Sequence, residues 1–320
     1  MLILVIIAVG FVAFANGANA NFKGVASLYG SGTTTLWTAL LWGTFTTLAG
    51  SIASMFVANG MITSFSGKGL VNDGLLASPN FTGAVAMGAA FTSILANRLG
   101  FPVSTTHALV GALVGAGLAG TGEFVRFSAL WQSFVFPLLF SPLLALILGV
   151  VILWLFRSLK LAPDHSNRFL NAAHFATAGA ASFSRGLNDT PKMAALLLIV
   201  PNISASSALL FVGTLIAFGA LVDSRRVAET LGKKITGMTP GQGFAANLVT
   251  AVLVTTASVH SLPVSTTHVS VGSMLGIGAL TKQARWKNVG QIVLAWVTTV
   301  PCAGLIAGAA YSLLRVSGIQ

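Results

Sequence analysis

Long apolar stretches separated by short polar breaks dominate the chain: Leu2–Phe14, Phe127–Phe156, Ala205–Val222 and Gln291–Leu314. Several reach the length of about 20 residues that a helix needs to cross the hydrocarbon core of a bilayer. Walking from break to break predicts five crossings at about 1–22, 34–58, 82–99, 103–120 and 127–156. Five more follow at about 169–200, 203–222, 243–260, 264–281 and 289–314. Gly, Pro and Asn interrupt some of these, so broken or re-entrant helices are expected among them. The predicted fold class is an all-α integral membrane protein.

The same pattern repeats. Gly-Phe-Pro-Val-Ser-Thr-Thr-His at 100–107 returns as Ser-Leu-Pro-Val-Ser-Thr-Thr-His at 261–268, and each run continues to a glycine, Gly111 and Gly272. A weaker pair, 17–23 and 186–192, matches at the glycine, the asparagine and the lysine. The offsets, 161 and 169 residues, describe one duplication of about half the chain, so 1–168 and 169–320 are read as two repeats of one transport unit. Five crossings separate them, so they insert in opposite orientations. Inverted repeats of this kind place a substrate site near the midplane of many secondary transporters.

Composition sharpens this picture. Only 7% of the 320 residues are charged and 55% are hydrophobic, whereas a soluble domain carries about 25% charged residues. The net charge of +11 does not point to nucleic acid, because the cations are not interleaved with aromatics as a nucleic-acid groove requires. They cluster instead in short loops. With the N-terminus outside, twelve Lys and Arg fall in inside loops, Lys23 among them, and three fall outside. The positive-inside rule then places both termini extracytoplasmic and the loops 157–168 and 223–236 in the cytoplasm. The first stretch resembles a signal peptide ending in Ala18-Asn19-Ala20, but it lacks a positive leader and has a counterpart deep in the chain, so it is expected to stay. Cys302 stands alone in an apolar run. It can form no intrachain disulfide and is expected to be a buried small hydrophobe.

The repeated motifs carry the candidate chemistry. Proline suits a first helical turn, so Ser104, Thr105 and Thr106, and likewise Ser265, Thr266 and Thr267, are expected at two half-helix N-termini. Such an end offers unpaired N–H groups and partial positive charge, which together bind anions. Two facing ends would wrap a tetrahedral oxyanion with neutral donors. Used structurally, the same hydroxyls would cap helices or bond between them. Asn188 and Asp189 lie inside a crossing, and an intramembrane carboxylate marks a functional site by default, with Lys192 or Arg185 as its partner. Pro191 is expected to break that helix, freeing carbonyls that join Asn188 and Asp189 around a hard cation such as sodium. The plainer reading is an ion pair of Asp189 with Lys192. His107 and His268 end the two motifs, where they either relay protons or bond the anion, or simply pack.

At these residues the sequence resembles the inorganic phosphate transporter family, including its sulfate-permease relatives, over essentially the whole chain. Both Pro-Val-Ser-Thr-Thr-His copies carry the likeness, together with Gly186-Leu187-Asn188-Asp189-Thr190-Pro191-Lys192 and Asn16-Gly17-Ala18-Asn19. The resemblance implies phosphate symport with sodium or protons and no other cofactor. It implies a bacterial inner-membrane setting with an inorganic oxyanion and the lipid bilayer as partners, and leaves a homodimer open. By the same analogy Asn19, Asn188 and Asp189 line the ion and substrate site, Asn16 joins the cation ligands, Lys23 joins Lys192 and Arg185 as a charge partner, and residues 104–106 and 265–267 bind phosphate. One departure stands out: the family pattern and the symmetry with Asp189 both call for aspartate at position 20, where this chain has Ala20. Sulfate, lacking a proton to donate at neutral pH, would tolerate that loss better than hydrogen phosphate.

Two other classes compete with transport. An anion channel fits the repeats but gives no role to a cation-binding carboxylate. An intramembrane hydrolase would want a nucleophile elbow, which is absent. No Walker loop is present to make the chain its own ATP motor.

Overall fold

The computed structural model describes residues 1–57, 59–121, 125–161 and 163–317. Among them, ten helices of fifteen residues or more follow one another: α1 Leu2–Ala20, α2 Leu36–Val57, α3 Pro79–Arg98, α4 Thr105–Thr121, α5 Phe136–Ser158, α6 Arg168–Ala194, α7 Ala205–Asp223, α8 Pro240–Val259, α9 Thr266–Leu280 and α10 Trp286–Val316. The described residues hold no strand beyond isolated bridges. The all-α membrane architecture expected from the hydrophobic pattern is therefore present.

Length and hydropathy qualify six segments as bilayer spans: those containing α1, α2, α5, α7, α8 and α10. The other four, α3, α4, α6 and α9, fall short in length or hydropathy. Nearly every residue of α9 is buried, and so is the polar C-terminal half of α6. Helix α9 has fifteen residues, about 22 Å at the usual rise, shorter than a hydrocarbon core of about 30 Å. Helices sheltered from lipid by their neighbours can be short or polar, which is why hydropathy alone does not single them out. On the outside, Leu139, Leu143, Val297, Leu305 and Leu313 project from α5 and α10. Cys302 is exposed on α10 rather than buried as expected, because that face of the helix looks outward.

The two halves exchange partners in a matched way. Helix α1 packs on α3 and α7, and α6 packs on α8 and α2; α4 packs on α10 and α9 on α5. Close approach requires glycine at equivalent places. A Cβ on Gly17 would run into the Ile216 carbonyl oxygen, and one on Gly186 into that of Thr47. Gly111 meets the Val300 carbonyl as Gly272 meets that of Pro142. Small residues let membrane helices approach to backbone contact, where van der Waals packing holds them.

Two expectations about proline are corrected. Pro191 does not end its helix: α6 runs on to Ala194 and then tightens into a 3₁₀ stretch, Ala195–Ile199. Proline removes one N–H and crowds one carbonyl, and the dense packing around this buried turn keeps the helix going. Nor do Pro102 and Pro263 sit in a first turn. The helices start at Thr105 and Thr266, and Ser265 is an extended N-cap. The prolines lie in the lead-ins, after chain reversals at Gly100 and Ser261, both at positive φ.

A candidate oxyanion site between two helix starts

The lead-ins to α4 and α9 come together at the centre of the molecule. Each serine acts as a cap: Ser104 Oγ accepts from the His107 amide and Ser265 Oγ from the His268 amide, both at 3.2 Å. Part of the hydroxyl inventory is therefore structural, capping the two helices. The cap leaves the Thr105, Thr106, Thr266 and Thr267 amides in first turns, where the helix itself supplies no acceptor. The two starts are also stitched to each other. Thr106 Oγ1 donates to the Val264 carbonyl at 3.2 Å, and Thr267 Oγ1 donates to the Val103 carbonyl at 2.8 Å.

Helix α6 and the end of α1 line the same centre. Asp189 lies beside Lys192 (Oδ1–Nζ 3.2 Å) and Arg185 (Oδ2–Nε 3.7 Å). Its Oδ2 also accepts from Asn16 Nδ2 and Thr266 Oγ1, each at 3.3 Å. Asn16 Nδ2 donates to Thr105 Oγ1 at 2.7 Å, while Asn16 Oδ1 accepts from Arg185 Nη2 at 2.6 Å. Asn188 donates to Ser258 Oγ at 2.9 Å and accepts from Lys192. Asn19 braces the first lead-in, donating to the Phe101 carbonyl at 2.8 Å and accepting from the Val103 amide at 3.0 Å. Lys23 reaches the Val103 carbonyl at 2.9 Å. Lys23 is 2% exposed and so does not belong with the cytoplasmic loop charges, where its place in the sequence puts it. A 3₁₀ turn, Asn21–Lys23, folds it back under α1.

Every one of these side chains is at most 5% exposed, so the conformation is closed. Burying a charge without a partner costs several kcal/mol. Here three cations, Lys23, Arg185 and Lys192, surround one carboxylate, Asp189. The excess of two positive charges sits between two helix N-termini, whose dipoles add further positive potential. The arrangement suits a dianion.

His107 and His268 lie elsewhere. Their rings meet edge to face with centroids 4.6 Å apart. His107 Nδ1 is 3.2 Å from the Trp296 carbonyl and His268 Nδ1 is 3.0 Å from the Leu138 carbonyl. A carbonyl only accepts, so each Nδ1 carries the proton and ties α4 to α10 or α9 to α5. Their rings form part of the wall of an apolar cleft of about 720 Å³ between α5 and α10. The sequence reading missed the carbonyls of Val103 and Val264 and the hydroxyl of Thr47, which accepts from Arg185 Nη1 at 3.2 Å. Backbone carbonyls leave no mark in residue types, and Thr47 is one of several threonines in an apolar span.

Comparisons with known proteins bear on the family and the fold. The profile of the phosphate transporter family matches residues 16–307. A probable low-affinity inorganic phosphate transporter of Rhizobium meliloti (strain 1021) is 33% identical, covering 94% of this chain and 92% of the relative. One from Mycobacterium tuberculosis (strain CDC 1551 / Oshkosh) is 30% identical over 99% of this chain and 78% of its own length. A solved structure described as the sodium-dependent phosphate transporter superimposes with a TM-score of 0.87 at 24% identity, over 98% of this chain and 99% of that one.

Proposed function

The chain belongs to the phosphate transporter family, and from that premise we propose that it carries hydrogen phosphate through the centre where the starts of α4 and α9 meet. It is a transporter and not an enzyme. The observation that carries the site is the buried cluster of three basic side chains, Lys23, Arg185 and Lys192, around the single carboxylate of Asp189, a formal excess of two positive charges. The first-turn amides, Thr105 and Thr266 would hold the phosphate oxygens. Ser104 and Ser265 shape the two turns by capping them. Thr106 and Thr267 keep the turns facing, and Asn16, Asn19 and Asn188 fix their distance from α1 and α6.

The halves 1–168 and 169–320 are read as inverted repeats that rock about this site, which matched offsets in the packing support. Gly17–Ile216 and Gly186–Thr47 are one contact and its exchanged copy, as are His107–Trp296 and His268–Leu138. Positive-inside asymmetry orients both termini outward in a bacterial plasma membrane. Transport is coupled to a cation, sodium or proton. The sodium dependence in the description of the solved relative speaks for sodium there. His107 and His268 serve packing between helix pairs in this reading.

Ala20 favours sulfate as the second reading. Position 20 is fully buried and offers no acceptor for a phosphate hydroxyl. Uptake of labelled phosphate into proteoliposomes, with unlabelled sulfate as competitor, separates the two. Phosphate uptake that sulfate inhibits weakly supports the first reading. Uptake of labelled sulfate with little phosphate uptake would replace it with the second.

A further inference from the structure

Lys192 is held as a bound metal ion would be held. Its Nζ is 2.8 Å from the Val264 carbonyl, 2.9 Å from Thr106 Oγ1 and 3.2 Å from Asp189 Oδ1, and it also bonds Asn188 Oδ1. A main-chain carbonyl, a hydroxyl, a carboxylate and an amide oxygen form the hard-oxygen shell that alkali and alkaline-earth cations select. An ammonium has three protons to give, yet four oxygens converge on this one. They come from three separate segments: α6, the first turn of α4 and the lead-in to α9. The Phe65 ring lies 5.6 Å from Nζ on a further side, and the lysine is fully buried.

The other oxygens that the sequence offered to a coupling ion are engaged in the same way. Asn16 Oδ1 accepts from Arg185, Asp189 Oδ2 faces Arg185 and accepts from Asn16 and Thr266, and Asn19 Oδ1 accepts from the Val103 amide. A sodium ion entering this shell would have to displace an ammonium and join three cations that share one carboxylate.

We propose that Lys192 is a tethered cation standing in the oxygen cage that a coupling sodium ion would otherwise fill, so that phosphate binding and exchange by this chain do not require sodium. This rests on the phosphate reading of the site and narrows its coupling. The lysine neutralises Asp189 and anchors the α4 and α9 starts from within the chain, and sodium is left without a place beside the anion.

The test is phosphate exchange in proteoliposomes loaded with unlabelled phosphate, in sodium chloride or in choline chloride at equal ionic strength. The wild-type chain should exchange labelled phosphate at the same rate in both salts. Lys192→Met keeps an unbranched side chain and removes the charge. It should lose about tenfold or more in choline, the worth of a charge-assisted hydrogen bond, and recover in sodium. Sodium should also raise the melting temperature of that variant and leave the wild type unmoved. Wild-type exchange stimulated tenfold by sodium would overturn the proposal while leaving the phosphate reading intact. So would a folded Lys192→Met that sodium neither restores nor stabilises. If the variant does not fold, the wild-type comparison between salts decides alone. Absence of phosphate exchange by the wild type in either salt would instead refute the phosphate reading itself.

Discussion

Introducing a carboxylate at position 20 probes a place where the halves disagree in charge, Ala20 standing opposite Asp189. Asp189 and Lys192 are three residues apart and 3.2 Å from each other, and Ala20 and Lys23 have the same spacing. Ala20→Asp would give Lys23 a matching acid and reduce the excess of positive charge from two to one. Two unit charges about 4 Å apart interact by about 4 kcal/mol at an effective dielectric constant of about 20, so both phosphate and sulfate dianions lose attraction. That loss is common to the two and cancels in their ratio. Only hydrogen phosphate has a hydroxyl to donate to the new carboxylate. Such a charge-assisted bond contributes about 1.5–3 kcal/mol, or roughly tenfold to a hundredfold in relative affinity. Competition of unlabelled sulfate against labelled phosphate uptake reads the ratio directly. Ala20→Asn, of nearly the same shape and uncharged, should shift it much less. If Asp and Asn shift the ratio equally, or neither shifts it, position 20 does not face the anion and the symmetry argument fails.

Three further outcomes are expected. Gly17→Val and Gly186→Val should each lower the yield of monodisperse protein, because each new side chain meets a carbonyl oxygen of a neighbouring helix; normal yields and melting temperatures would show that the helices pack less closely. Single cysteines placed in 159–167 or 224–236 should resist impermeant thiol reagents in intact cells once the exposed Cys302 is replaced by Ser, and ready labelling would reverse the orientation. Arg185→Gln should lower phosphate affinity by about tenfold or more, since it removes a charge-assisted contact to Asn16 and one of the two excess charges; an unchanged affinity would remove Arg185 from the site.

The hydrophobic pattern carried most of the fold. All ten predicted crossings correspond to long helices, with boundaries that shift by a few residues except at α5 and α6. At α5 the pattern ran on through a short α turn and a π stretch, Phe127–Leu130 and Trp131–Val135, that precede the helix. At α6 it ran on through the 3₁₀ turn at 195–199. The duplicated Pro-Val-Ser-Thr-Thr-His run pointed to the candidate site, because a polar run inside lipid is costly unless it serves something. What stayed hidden was which oxygens face which cations. The loop count makes Lys23 a cytoplasmic charge and only the resemblance makes it a charge partner, because nothing in the hydrophobic pattern shows that the 3₁₀ turn after Ala20 returns it to the interior. The partnership of Lys192 with the Val264 carbonyl crosses 72 positions of sequence and involves no side chain of Val264. Histidine spacing said nothing about the edge-to-face pairing of His107 with His268, which depends on how α4 and α9 cross.

Binding of phosphate to the purified protein, measured through a double-mutant cycle on Thr105→Val and Thr266→Val, tests the shared site most directly. The account predicts one phosphate per chain. Each single variant should lose several-fold in affinity, in line with about 1 kcal/mol for a neutral hydrogen bond. The double variant should depart from the sum of the two, as residues that hold one ligand do. Two independent phosphate sites per chain, or unchanged affinity in both single variants, would contradict it.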